Sequence, residues 1–170
     1  MEKSLRELLR RFRIVHQTGG FNSLESLVRL RKIKKTMGNE MRSRYLVSEH
    51  FTSDDVGMIL RQASLVVGRS GINTITELLY LNKPALLIPL PNSARNEQKK
   101  NAQFLKDLGL CEVLNEKLTS SEFISSINHM IRNIEKYKIN DNREYLKEDA
   151  ALNILKVVEY EAIKKNEKTS

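Results

Sequence analysis

The stretch Ser64-Leu65-Val66-Val67-Gly68-Arg69-Ser70-Gly71-Ile72-Asn73-Thr74-Ile75-Thr76-Glu77-Leu78 decides the fold. Its short apolar run, Ser64 to Val67, reads as a strand that ends in the small residues Gly68, Ser70 and Gly71. A helix then begins around Asn73 or Thr74 and runs to Leu81. A helix that starts directly beyond a strand offers unpaired backbone N–H groups and the positive end of its dipole, which together bind phosphate. Ligands of open α/β sheets also bind beyond the carboxyl ends of the strands. The stretch therefore predicts a parallel sheet with an anion site at this turn.

The same alternation continues outward on both sides. Strands are expected at 12–15, 44–47, 64–67, 85–89 and 111–114, with helices at 21–35, 54–62, 73–81, 94–108, 120–136 and 143–165. Alternating short apolar runs and longer amphipathic stretches are the mark of βαβ units, so the fold class is α/β, a Rossmann-like parallel sheet. Gly19 and Gly20 end the first strand, Asp54 and Asp55 favour a helix N-terminus, and Lys83-Pro84 breaks a helix before a strand. The polar segment 137–142 reads as a loop, which makes 143–165 a closing helix of a single domain spanning 1–170. The chain opens with a helix-like stretch, Glu2 to Arg11, where a doubly wound sheet normally opens with a strand and a glycine-rich turn. The expectation is a domain that lacks its first strand.

Several polar groups gather at the strand ends. Thr74 and Glu77 fit a capping-box spacing, while a glutamate one turn into such a helix could instead accept from a ribose diol. Beyond the strand 85–89 lie Asn96, Glu97, Gln98 and Asn101. Gln98 and Asn101 share a helix face, where they are either sugar-hydroxyl partners or an ordinary polar first turn. His16-Gln17-Thr18-Gly19 forms a third strand-end loop and a candidate phosphate loop, although a lone histidine is commonly structural. No residue pattern identifies a catalytic base or nucleophile, and no cluster has metal-ligand spacing.

Composition bounds the function. The 170 residues are 40% hydrophobic and 29% charged, with a single cysteine, Cys111, and three histidines. This is globular composition without an apolar run long enough to span a bilayer, an internal disulfide or a secretory signal, so a cytoplasmic location is expected. The net charge of +8 comes partly from clusters at Arg6 to Arg13 and Arg29 to Lys35. It reads as a solvated basic surface or as an attraction for anionic partners. Aromatic residues are too sparse among these clusters for base stacking, and no nucleic-acid partner is expected.

The run from Gly68 to Leu78, with Lys83-Pro84-Ala85-Leu86-Leu87-Ile88-Pro89, Asn96-Glu97-Gln98 and Asn101-Ala102, resembles the C-terminal domain of glycosyltransferase family 28. Weaker similarity covers 14–19, 47–51 and 149–151. The resemblance implies the C-terminal, donor-binding half of a GT-B enzyme, with UDP-N-acetylglucosamine as donor and no cofactor or metal. It implies an inverting transfer to a lipid-linked acceptor in peptidoglycan lipid II synthesis, at the inner face of the plasma membrane, with peripheral membrane association. The acceptor would be bound by an N-terminal domain or partner subunit, so the isolated chain is expected to be inactive.

Carried over by position, the backbone around Phe51 and Thr52 would face the uracil, and Glu77 would hold the ribose hydroxyls. Ser70, Gly71, Ile72, Asn73 and Thr74 would meet the diphosphate, with Glu97, Gln98 and Asn101 at the sugar. Where the family often has histidine or glutamine, this chain has Glu97. The alternatives are another UDP-sugar transferase of glycolipid or polysaccharide synthesis, and a non-catalytic nucleotide- or nucleic-acid-binding module.

Overall fold

The computed structural model describes residues 2–19 and 23–139, which fall in one compact unit, Met1–Ile139. The expected closing helix at 143–165 lies outside the described residues. In chain order the elements are α1 (Glu2–Leu9), β1 (Ile14–Gln17), α2 (Ser23–Lys35), α3 (Asn39–Ser43), β2 (Tyr45–Ser48), α4 (Ser53–Gln62), β3 (Val66–Gly68), α5 (Ile72–Tyr80), β4 (Ala85–Leu87), α6 (Glu97–Asp107), β5 (Cys111–Val113) and α7 (Ser120–Arg132). The alternation of strand and helix is that of an α/β fold.

All strand pairs are parallel, but they form two separate ladders, β1-β2 and β3-β4-β5. Ile14 pairs with Tyr45 and His16 with Val47 in the first, and Val66 with Ala85 and Ala85 with Cys111 in the second. Among the described residues no backbone hydrogen bond joins β1 to β3.

Two apolar clusters hold these ladders to their helices. Leu5 and Leu9 of α1 pack with Leu27, Leu30, Tyr45 and Val47. Leu8 of the same helix joins Leu86 and the α7 residues Phe123, Ile124, Ile127 and Met130. One turn of α1 thus serves both ladders, and Ile14 packs against both clusters. β4 is buried along its length, as the central strand of a sheet covered on both faces should be.

The structure corrects several boundaries. β1 extends to Gln17, so His16 and Gln17 belong to the strand and only Thr18 and Gly19 lie beyond it. α5 begins at Ile72 with Gly71 as its N-cap, which places Thr74 inside the helix. No capping box therefore joins Thr74 and Glu77. The box in this chain is at Thr119 and Glu122, where a threonine does precede the first helical residue. The expected helix 94–108 is a 3-10 turn, Ala94–Asn96, followed by α6, because Arg95 and Asn96 adopt φ of 51° and 57°. α7 likewise ends at Arg132, ahead of a 3-10 turn, Ile134–Lys136. The short α3 gave no separate signal in the sequence.

Candidate functional site

Three helix starts near the strand ends differ in how they satisfy their first N–H groups. At α4, Thr52 caps the helix by accepting from the Asp55 N–H, and its hydroxyl donates to the Asp55 carboxylate at 2.8 Å. At α7 the reciprocal Thr119–Glu122 box does the same. At α5 the N-cap is Gly71, with no side-chain cap. Its opening N–H groups, at Ile72, Asn73 and Thr74, have no preceding residue in the helix to bond. Of these three starts, only that of α5 lacks a side-chain cap.

Beside it lies an open cleft of about 610 Å³, lined on one side by Asn73, Thr76, Glu77 and Tyr80 of α5. The opposite wall is Val56, Gly57 and Leu60 of α4, with Phe51 and Gln17 at one end. Apolar side chains and a few polar groups of this kind suit a flat ring bearing hydroxyls. The amide oxygen of Gln17 accepts from the Phe51 N–H at 3.2 Å, which fixes the loop after β2 against the end of β1. Gly19 packs closely there too, since a Cβ on it would stand 3.0 Å from the His50 ring, which would have to shift.

A second group of polar residues ties the α5 start to the α6 start. Ser70 is fully buried, and its hydroxyl donates to the Gln98 carbonyl at 2.7 Å. The Asn101 amide donates to the Ser70 carbonyl at 3.0 Å and to Glu97 at 3.3 Å. The Gln98 side-chain oxygen accepts from the Leu90 N–H at 3.0 Å, and its backbone N–H donates to Ser93. These bonds hold the left-handed turn at Arg95 and Asn96, a strained conformation of the kind that collects at ligand sites. A smaller hollow of about 290 Å³ lies there, lined by Arg95, Glu97, Lys100 and Asn101. On the outer side, Arg69 bridges the strand ends, donating to the Ile88 carbonyl and to Glu116 at 2.6 Å.

The sequence-derived residues thus sort into three groups. Phe51, Asn73, Glu77 and Gln17 line one cleft, and Gly71, Ile72 and Thr74 form the open helix start at its rim. Ser70, Glu97, Gln98 and Asn101 form the brace beside it. His16 stands apart. Its Nδ1 lies 2.9 Å from the Tyr45 hydroxyl and its side chain is on the same face as Ile14, while Thr18 donates to the Ser48 carbonyl. Thr52 has its side chain committed to the α4 cap. The sequence reading missed the α4 wall, Val56, Gly57 and Leu60, because a cleft-facing apolar residue and a core-facing one look alike in a linear pattern.

Residues 1–156 match the family model of the glycosyltransferase family 28 C-terminal domain. The chain belongs to this family. It is 37% identical over 141 residues to UDP-N-acetylglucosamine--N-acetylmuramyl-(pentapeptide) pyrophosphoryl-undecaprenol N-acetylglucosamine transferase 1 of Bacillus thuringiensis strain Al Hakam, covering 82% of this chain and 36% of that protein. A Bacillus cereus relative, the transferase numbered 3, is 43% identical over 94 residues, 54% of this chain and 27% of that protein. The chain thus spans about a third of the length of the curated relatives it matches. Among solved structures, Acinetobacter baumannii MurG superimposes with a TM-score of 0.57 at 18% identity, over 85% of this chain and 45% of that one. The solution structure of ALG13 gives 0.54 at 19%, over 85% and 82%. These two likenesses establish the fold as that of the GT-B C-terminal domain in the family.

Proposed function

We propose that this chain is the donor-binding part of a UDP-N-acetylglucosamine-dependent hexosyltransferase of peptidoglycan lipid II synthesis. The observation that carries the reading is the meeting of Glu77, Phe51 and the uncapped start of α5 in one cleft. The uracil ring enters between Phe51 and the α4 wall, and the ribose hydroxyls donate to Glu77. The diphosphate lies on the N–H groups of Ile72, Asn73 and Thr74, and the sugar extends toward Glu97, Gln98 and Asn101. The family and the relatives' names support the choice of donor.

In the proposed transfer an acceptor hydroxyl attacks the anomeric carbon on the face opposite the diphosphate. The bond from that carbon to the diphosphate oxygen breaks, and its electron pair leaves with UDP. The helix start carries about half a positive charge, placed where the leaving group's charge develops, so it lowers the barrier without a metal ion. The acceptor's proton goes to a base on the acceptor side, supplied by a further domain or a partner subunit that binds the lipid-linked acceptor. That assembly works at the inner face of the membrane. No described helix is long and apolar enough to cross a membrane.

Titration calorimetry with UDP-N-acetylglucosamine, UDP-glucose and ADP-glucose tests the reading. UDP-N-acetylglucosamine should bind tightest, and Glu77→Ala should weaken it by about 10–100-fold, as expected for losing charged hydrogen bonds, with an unchanged melting midpoint. Equal affinity for the ADP sugar, or an unaltered Glu77→Ala protein, would sink it.

A further inference from the structure

β1 reaches the cleft at Gln17, whose side-chain amide is held at one end only. Its oxygen accepts from the Phe51 N–H at 3.2 Å. A backbone N–H can only donate, so that bond decides which end of the amide is oxygen and which is nitrogen. The two N–H bonds of the nitrogen have no hydrogen-bond partner among the described residues. Gln17 and Phe51 both line the cleft. A pair of unused donors therefore stands where the base enters.

The loop that carries Phe51 is pinned on both sides of it. Gln17 is in register with Ser48, and the Thr18 N–H donates to the Ser48 carbonyl at 3.0 Å. The Ser48 hydroxyl donates to the His50 carbonyl at 2.8 Å, and Thr52 caps α4. The Gln17 amide is thus fastened to a backbone that is itself fixed. A donor held in this way is already in place before the ligand arrives, which spares binding the cost of ordering it.

With the ribose at Glu77, the glycosidic nitrogen of a pyrimidine faces Glu77, and the ring position opposite it, C4, reaches toward Gln17. Uracil carries a carbonyl oxygen at C4, and cytosine carries an amino group. The oxygen accepts from the Gln17 amide, whereas the amino group meets it donor to donor. The other polar side chains of the cleft do not make this choice. Glu77 is taken by the ribose in that pose, and the Thr76 hydroxyl donates to the Ile72 carbonyl at 3.0 Å. Arg61 lies about 12 Å further along α4 than Ser53. The Ser53 hydroxyl can donate or accept, so it suits either base.

We propose that the Gln17 side-chain amide selects the base of the donor, taking uracil through its C4 oxygen and rejecting cytosine. The inference rests on the donor reading above and deepens it, moving Gln17 from the phosphate, where its strand-end loop had suggested it, to the base. Calorimetric titrations of the full chain and of Gln17→Glu with UDP and CDP test it. The two nucleotides share ribose and diphosphate, so only the base differs in the ratio of their affinities. The parent should favour UDP by about tenfold, the low end for a mispaired donor because Gln17 is exposed. Glutamate keeps an oxygen for the Phe51 N–H but offers the cleft an acceptor in place of a donor. The ratio in Gln17→Glu should therefore fall to about one or invert, while the added negative charge weakens both nucleotides alike.

NMR on the parent gives a reading that needs no variant: the Gln17 side-chain amide protons should exchange several-fold more slowly at saturating UDP than at saturating CDP. UDP bound with a ratio that Gln17→Glu leaves unchanged, or equal exchange under the two nucleotides, would overturn the Gln17 assignment and leave the donor reading standing. Binding of neither nucleotide to the parent would overturn the donor reading, and this inference with it.

Discussion

Ser70 shows how a residue type can be legible while its role is not. A small residue in the turn after a strand reads as a phosphate contact, yet the Ser70 side chain is buried and spent on the Gln98 carbonyl at 2.7 Å. Gln98 and Asn101, read as sugar partners, are bonded to Leu90 and to Ser70. Sequence spacing carries short-range information, and these pairs are 28 and 31 residues apart. The residues that meet the cleft directly, Glu77 and Asn73, were legible because the strand-to-helix handover fixes where they sit. Ser70→Ala removes one neutral hydrogen bond, worth about 1 kcal/mol. The melting midpoint should drop by about 2–4 °C, and UDP-N-acetylglucosamine should bind several-fold more weakly as the α6 start loosens. Calorimetry on the variant reads both. A variant that loses stability but keeps full affinity would separate the brace from donor binding.

At the scale of elements, the contrast between capped and uncapped helix starts divides structure from function. Gly71 has φ −65° and ψ 154° with open space around its Cβ direction, so an aspartate fits there without strain. Its carboxylate would cap α5, gaining a few tenths of a kcal/mol over glycine, and would put negative charge where the diphosphate docks. Gly71→Asp should therefore hold or raise the melting midpoint while lowering UDP affinity by at least about tenfold. A variant that keeps its affinity would remove α5 from the phosphate site.

The opposite case is α7. The Thr119 backbone N–H, and then its hydroxyl, donate to Glu122 and hold its carboxyl below the ordinary value. A depressed carboxylate adds stability above its unfolded pKa and loses it as pH falls through the folded value. The urea midpoints of the parent and Glu122→Gln should differ most at pH 7 and draw together as pH falls below the unfolded carboxylate value and through the lower folded one. Thr119→Ala should cost about 1 kcal/mol at pH 7. Element order was legible almost throughout, because β-rich runs and helix-breaking pairs mark it. Helix starts were less so, since a capping spacing at Thr74 looks the same as the real one at Thr119.

For the whole molecule, the two parallel ladders share one packing partner, since α1 places residues in both apolar clusters. What a linear pattern could not supply is the cleft, which exists only where the end of β1, α4 and α5 converge. That convergence separates binding from turnover. A donor that binds only the folded state stabilises it by RT ln(1 + [L]/Kd), about 2.7 kcal/mol at a hundredfold excess over Kd. For a chain of this length that raises the melting midpoint by about 5–10 °C. Transfer needs more, because an inverting displacement requires a base beside the acceptor hydroxyl as well as a stabilised leaving group. Among the described residues the one carboxylate lining the cleft is Glu77, and it is engaged with the ribose in the proposed pose. Saturating UDP-N-acetylglucosamine should therefore shift the midpoint of the chain alone while an isotope-labelled transfer assay with lipid-linked acceptor records no product. Product formed by the chain alone would show that it holds the base itself, and an unshifted midpoint would show that the cleft does not bind the donor.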